Sequence, residues 1–449
     1  MGAQPGAQPA YSQVAMPEAL DRPLHRADAW QTPIDWRAKG LPALDAPLDP
    51  ADVARQGWNL FDGRFLLPTM VLHEAALDHN IALIADYCRT NGISLAPHGK
   101  TTMSPAIFER QLAAGAWAMT VATSWQARVA AKVGVPRIML ANQVTDAGGI
   151  DWLATTLRDG APDVYCWVDS VAGVDLLDAR LGGLEDRLPV LIEVGLPGGR
   201  GGVRALSVAL EVAARVRASS ALRLAGVAWF EGVVEGPDQP ARDAAVRRLM
   251  SLAREVVVAI DPGMVADGAR ELILTGGGSQ YLDIVVEGLT APLGTRLPVR
   301  GVLRSGGTVS HDDGGYDLVS PFGSVRADGG PQLRPALEVW APVLSMPDPG
   351  RAIIGAGRRD LPHDGAPPVV RAVRHPTGAI RPMGPRPWLR VTKLNDQHAY
   401  LEFDAGQELA VGDLVALGVR HPCMAFDRWR FVPVVDAAYD VVDVFETIF

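Results

Sequence analysis

The sequence predicts an α/β protein: a (β/α)8 barrel, the TIM-barrel architecture, followed by a second, β-rich C-terminal domain. Three observations carry that prediction. Short β-branched apolar runs alternate with helix-length amphipathic stretches over residues 69–320. The polar residues of those runs collect at their C-terminal ends, where such a barrel gathers its chemistry. Beyond residue 320 the helical pattern stops, and Pro- and Gly-rich turns punctuate short strands.

In chain order, residues 1–30 are rich in Ala, Gln and Pro and lack periodicity, which predicts a flexible tail. Residues 31–68 carry scattered apolar groups and read as an extension packing on the β domain. The apolar runs of 69–320 are Thr69–His73, Ser94–Lys100, Ala118–Thr123, Ile138–Gln143, Val164–Ser170, Val190–Gly195, Leu224–Glu231, Glu271–Gly276 and Gly301–Arg304. Eight strand–helix units after the first run suffice to close a barrel of about the usual 250 residues. Lys100, Thr123, Asn142, Asp169, Glu193, Glu231 and Arg304 fall at or near strand ends. Residues 321–449 form the β-rich domain, with strands expected over Leu337–Leu344, Trp388–Lys393, Ala399–Phe403 and Leu414–Leu417.

Composition narrows the function classes. The chain has 449 residues, 48% apolar and 21% charged, which is globular and roomy enough for two or three domains. A net charge of −9 without a basic stripe argues against nucleic acid and anionic membrane as partners. No apolar run of about 18 residues is present to span a bilayer. Three cysteines are too few for a disulfide scaffold, and no charged start precedes an apolar stretch, so a cytoplasmic location is expected. Among 42 basic residues only Lys39, Lys100, Lys132 and Lys393 are lysines, so amine chemistry has four candidates.

Four segments carry the candidate chemistry. Pro97-His98-Gly99-Lys100-Thr101 ends the first barrel strand, where partial burial lowers a lysine's pKa and equips it to form a Schiff base. Gly276-Gly277-Gly278-Ser279 follows the seventh, where this fold often holds phosphate on exposed backbone N–H groups. Arg200 follows the fifth and can hold a phenolate or carboxylate. His421-Pro422-Cys423 offers an imidazole and a thiolate two residues apart, a pair that suits zinc at an open, catalytic site. Taken alone, each also reads as structure: a surface lysine, a flexible turn, a solvated loop charge, a buried His beside an inert Cys. His311-Asp312-Asp313, His363-Asp364 and His398 in the Asn395–His398 turn read first as structural, with His398 kept as a secondary site candidate.

Together the motifs LLPTMVLHEAALDHNI, LAPHGKT, LILTGGGS, NDQHA and GVRHPC resemble the D-serine dehydratase and D-threonine aldolase group of pyridoxal-phosphate enzymes, which have an alanine racemase-type barrel. The resemblance spans residues 65–449 and is nearest to bacterial sequences labelled amino-acid deaminases. It implies that Lys100 carries pyridoxal 5'-phosphate, with Gly276, Gly277, Gly278 and Ser279 around the phosphate and Arg200 on the 3-hydroxyl side. His98 and Asn142 complete the implied cofactor contacts. His421 and Cys423 would bind a divalent metal, expected to be zinc, and the protein would be a homodimer. The implied activity is dehydration and deamination of a D-3-hydroxyamino acid (D-serine, D-threonine or 3-hydroxyaspartate) to a 2-oxo acid and ammonia.

Retro-aldol cleavage to glycine and an aldehyde is the nearest alternative. Cys423 tilts the reading toward dehydration, because the aldolases of the group carry a harder, acidic ligand there. A non-catalytic pyridoxal-phosphate carrier would lack the β domain. A racemase would need a second base, for which only Tyr281 and Tyr316 are available. The sequence departs from the group at Thr102 and Met103, where His and Lys are usual.

Overall fold

The computed structural model describes residues 32–449 apart from 261, 266–268, 377, 385–386 and 405. The tail expected at 1–30 lies outside the described residues.

The barrel strands are β2 (Ser94–Leu95), β3 (Met119–Val121), β4 (Arg137–Leu140), β5 (Asp163–Val168), β6 (Leu188–Val194), β7 (Leu222–Trp229), β8 (Leu272–Gly276) and β9 (Val299–Leu303); β1 (Thr69–His73) lies elsewhere. They pair in parallel from β3 to β9 in sequence order, and β9 then pairs with β2. The ring closes where the Trp117 N–H donates to Leu95 O at 2.7 Å and His98 bridges Thr120. Helix α1 (Glu74–Thr90) leads in. The crossovers are α2 (Pro105–Ala113), α3 (Ser124–Lys132), α4 (Ala147–Asp159), α5 (Val171–Leu181), α6 (Leu206–Ala218), α7 (Gln239–Ala259) and α8 (Leu282–Thr290).

Alternation along the strands sorts two cores. Outward residues such as Val121, Ile138, Cys166 and Ile192 pack under the helices. Inward residues, among them Ala96, Met139, Trp167, Leu191 and Ile273, fill the interior. Side-chain oxygens of Thr123, Asp146, Ser170 and Asp238 accept from backbone N–H groups and start α3, α4, α5 and α7. Thr123, read from sequence as one of the strand-end polar groups, thus serves a helix cap.

The C-terminal domain comprises β10 (Leu337–Asp348), β11 (Arg351–Ile354), β12 (Val369–Arg374), β13 (Ile380–Pro382), β14 (Leu389–Leu394), β15 (Ala399–Phe403), β16 (Leu414–Gly418), β17 (Phe431–Val435) and β18 (Val441–Glu446). Its main sheet runs β13-β12-β16-β10-β1-β17-β18, and the far half of β10 continues into β11, β15 and β14.

Here the structure departs from the expected boundary at residue 69. β1 lies between β10 and β17, antiparallel to the first and parallel to the second. The reason is burial on both faces. Met70 and Leu72 face a core shared with Leu77 of α1 and Ile107 of α2, while Val71 faces Trp58, Leu60 and Trp340. A short apolar run fits any central strand, so periodicity does not reveal which sheet it joins. The segment from residue 32 to 68 covers the outer face of this sheet through Ile34, Leu41, Val53, Trp58 and Leu60. The inner face lies on α1 and α2, next to the barrel mouth at which β2 ends.

Candidate active site

β2 is only two residues long, and the chain then turns through the single helical turn Gly99–Thr101. A Cβ on Gly99 would stand 2.7 Å from the Phe108 ring, so only glycine lets the turn sit this close to α2. The turn holds Lys100 half-buried at the mouth. Burial lowers the ammonium's pKa, and the positive charges of Arg200 and Arg304 push the same way against the attraction of Cys423. Burial, with Lys100, Arg304 and Arg200, also keeps the His98 imidazole neutral. His98 Nδ1 is buried with no partner.

The loops after β8 and β9 form one cradle. Ser279 Oγ lies 3.0 Å from Ser305 Oγ and accepts from the Gly307 N–H at 3.1 Å. Ser305 also donates to Thr308 Oγ1 at 3.4 Å. Gly277 has φ +108°, and a Cβ there would fall 2.5 Å from Leu303 Cδ1. A Cβ on Gly276 would fall 2.2 Å from Trp229. The N–H groups of Gly277 and Gly278 point at the fully buried carboxylate of Glu231. Both N–H groups are thus committed to Glu231, which ties the glycine loop to the end of β7.

Beneath the cradle, Arg304 is buried. Its Nε donates to Thr275 Oγ1 at 3.0 Å and its Nη2 to Trp229 O. Burial lowers its pKa to about 10, with Glu231 and Glu193 opposing, so it stays charged at neutral pH. Burial raises the Glu231 carboxyl, opposed by the Gly278 N–H and Arg304.

The loop after β6 is tied down by the Gly202 N–H donating to Asp169 at 2.8 Å, and Gln143 donates to Glu193 at 2.7 Å beside it. Arg200 on this loop is exposed and stacks 4.5 Å over the Phe230 ring.

The fourth group comes from the β domain. After β16 the chain delivers His421 and Cys423 against the lysine turn. Cys423 Sγ lies 3.2 Å from Thr101 Oγ1, the neighbour of Lys100. Burial opposes ionisation of the Cys423 thiol, but hydrogen bonds from His421 and Thr101 and the charges of His421 and Lys100 win and lower its pKa. The hydrogen bond to Cys423 comes first in raising His421 to about 9, with Asp364 adding to it. Asp364 Oδ2 meets His421 Nδ1. The Tyr316 ring stands edge-on to His421, centroids 5.9 Å apart, and a Cβ on Gly307 would fall 2.8 Å from it. No group of three or more His, Cys, Asp or Glu suited to a metal occurs among the described residues, so the pair is a two-donor set.

The mouth therefore unites Lys100, His98, Arg200, Gly276, Gly277, Gly278, Ser279, His421 and Cys423. Other candidates fall elsewhere. Asn142 is exposed and donates to Ala122 O at 3.2 Å, which fixes the end of β4. The Tyr281 ring is buried at the start of α8, beside the Arg242 and Asp243 charges of α7. His398 is exposed in the β14–β15 hairpin turn. Thr102 and Met103 are buried, and Met103 O accepts from the Ile448 N–H at 2.9 Å, so these two positions dock the chain's C-terminal segment. Sequence reasoning did not single out Ser305–Thr308 or Glu231 as the partner of the glycine loop, and it read His363-Asp364 first as structural, whereas Asp364 meets His421. The Ser-Gly-Gly-Thr run after the eighth strand was a signal of the same kind as Gly-Gly-Gly-Ser.

Comparisons agree with this architecture. The alanine racemase N-terminal domain family matches residues 72–267, and the putative serine dehydratase domain family matches residues 336–435. Fold and site thus define an alanine racemase-type barrel carrying a β domain. The first match falls on the barrel and the second on the β domain, so the chain is similar to both families, each over its own part.

The 3-hydroxy-D-aspartate aldolase of Paracoccus denitrificans (strain Pd 1222) is 24% identical over 358 residues, 79% of this chain and 84% of that one. The D-threo-3-hydroxyaspartate dehydratase of Delftia sp. (strain HT23) is 31% identical over 174 residues, 38% of this chain and 45% of that one. The D-threonine aldolase of Filomicrobium marinum has a TM-score of 0.70 at 22% identity, covering 86% of this chain and 95% of its own. A cysteine-to-alanine variant of D-threo-3-hydroxyaspartate dehydratase in a metal-free form has a TM-score of 0.64 at 23% identity, covering 85% and 97%. At these identities the structural likeness speaks to the fold alone.

Proposed function

We propose that the protein is a pyridoxal-phosphate- and metal-dependent lyase that eliminates the β-hydroxyl of a D-3-hydroxyamino acid as water; the resulting enamine takes water back on hydrolysis, so the net products are a 2-oxo acid and ammonia. One observation carries this reading: Thr101, beside Lys100, contacts Cys423 at 3.2 Å, so the amine and the donor pair form one site across the domain junction. The residues suit the cofactor. The cradle excludes a Cβ at Gly276 and Gly277, and the buried His98 Nδ1 lacks a partner. Lys100 would hold the aldehyde carbon, and Gly276–Ser279 with Ser305–Gly307 would hold the phosphate. The donor set of His421 and Cys423 suits a borderline-soft divalent ion with open positions.

When bound, pyridoxal phosphate supplies an electron sink for the pair left at Cα. A divalent ion supplies Lewis-acid polarisation of a substrate oxygen. The chain's own groups do the rest. Lys100, its pKa lowered, accepts the Cα proton on Nζ. His98, held neutral, adds no charge beside it. Arg304, fixed between Thr275 and Trp229 O, keeps a positive charge beneath the site. Tyr316 and Phe230 wall the mouth, which limits water near the base.

A second reading, retro-aldol cleavage to glycine and an aldehyde, is favoured by the aldolase relative that covers most of the chain. Cys423 favours dehydration, since a thiolate is a softer donor than the acidic ligand that the resemblance implies for the aldolases of the group. The test is product analysis of Zn²⁺- and cofactor-loaded protein with D-serine, D-threonine and D-3-hydroxyaspartate, each against its L-isomer. Expected are equal amounts of 2-oxo acid and ammonia from D-isomers alone. Glycine with an aldehyde would transfer the protein to the second reading. Bound cofactor with no turnover of any would leave a non-catalytic carrier.

A further inference from the structure

We infer that Asp364 is a positioning residue for the His421–Cys423 donor pair, and that the loop bearing it exists to orient His421. The inference rests on the reading of that pair as a metal site.

Asp364 Oδ2 meets His421 Nδ1. An imidazole has two ring nitrogens. A carboxylate on Nδ1 fixes the proton there and leaves Nε2 as the lone pair for a cation.

The loop between β11 and β12 that carries Asp364 is stapled to both flanks of the donor segment. Just before His421, Arg420 Nε donates to Pro367 O at 2.7 Å. Just after Cys423, Arg428 Nε donates to Arg358 O at 3.1 Å and Trp429 Nε1 to Asp360 O at 3.1 Å. Asp360 is itself buried, accepts from the Gly357 N–H at 2.9 Å and pairs with Lys39 at 2.7 Å. A carboxylate that merely met a surface charge would need none of these ties. Loop and donor segment are one rigid assembly, with Asp364 as its point of contact on the imidazole.

The test is Zn²⁺ titration of the cofactor-loaded protein against a chromogenic chelator, with melting curves to verify folding. Wild type should bind, and Cys423→Ala should lose binding in the measurable range. Asp364→Ala should bind about 10–100-fold more weakly, the usual effect of removing such a partner. Asp364→Asn, which keeps an acceptor of the same shape, should fall between wild type and Asp364→Ala; it also carries the test if the alanine variant fails to fold. Wild-type affinity in both Asp364 variants overturns the inference and leaves the metal reading intact. Loss in Asp364→Asn as complete as in Cys423→Ala overturns it by making Asp364 a ligand. Equal, negligible binding by wild type and Cys423→Ala removes the metal reading and this inference with it.

Discussion

Gly277→Ala tests the cradle directly. Gly277 sits at φ +108°, a conformation that costs a residue with a Cβ about 1–3 kcal/mol. The new methyl would meet Leu303 Cδ1 at 2.5 Å, roughly 1 Å inside the distance at which two carbons attract. Leu303 is fully buried and cannot swing into solvent. Relief must come from the loop, which would lift the Gly277 and Gly278 N–H groups off Glu231. If about 2 kcal/mol of that strain falls on the loop, cofactor affinity drops about 30-fold. Titration of cofactor-free protein with pyridoxal phosphate, followed by visible absorbance, measures the change. Gly294→Ala is the control, since its Cβ meets nothing within 4 Å. Affinity within twofold of wild type for Gly277→Ala, with an unchanged melting temperature, would refute the cradle.

The remaining predictions address charge and reactivity. Burial pushes the thiols of Cys88 and Cys166 up to about 12, whereas Cys423 is lowered, so one equivalent of a thiol reagent should react at pH 7.5 and none in Cys423→Ala. Labelling at Cys88 or Cys166 in folded protein would contradict this. Arg304→Met should destabilise by about 1–3 kcal/mol in urea melts, because it leaves Thr275 Oγ1 and Trp229 O without their buried donor and removes the charge that offsets Glu231 and Glu193, and Glu231→Gln in the same chain should recover part of the loss. An additive double variant would refute that coupling.

Burial first, with Glu338 and Asp312 adding, raises Asp313 to about 6 against Arg371. A raised acid favours the folded state while it is protonated, so its contribution is full below the unfolded pKa near 3.8. It should fade between about pH 4 and pH 6, by up to about 3 kcal/mol. Asp313→Asn should flatten that slope in denaturant melts across the interval, and a slope unchanged in Asp313→Asn would exclude the assignment.

Legibility from sequence followed the range of the interaction. Lys100, Gly276–Ser279 and His421/Cys423 could be picked out because each is a local run whose chemistry needs adjacent residues. Ser305–Thr308 is equally local, a Ser-Gly-Gly-Thr run of the same kind as Gly-Gly-Gly-Ser. Asp364 could not be paired with His421 from sequence, since 57 positions separate them and only the β-domain ladders bring them together. Tyr281 and His398 resembled site residues by type, yet the packing of α8 on α7 and the turn of a surface hairpin take them elsewhere.

By itself the sequence determined the eight barrel strands, the β-rich second domain and the local motifs, because periodicity and turn chemistry are properties of neighbouring residues. The tertiary structure alone decided three things. It assigned Thr69–His73 to the C-terminal sheet, closed the two glycine-rich loops into one cradle, and set Cys423 against the turn of Lys100. Each depends on contacts between residues far apart in the chain, which are fixed only when both faces of a strand or both ends of a loop find their burial partners.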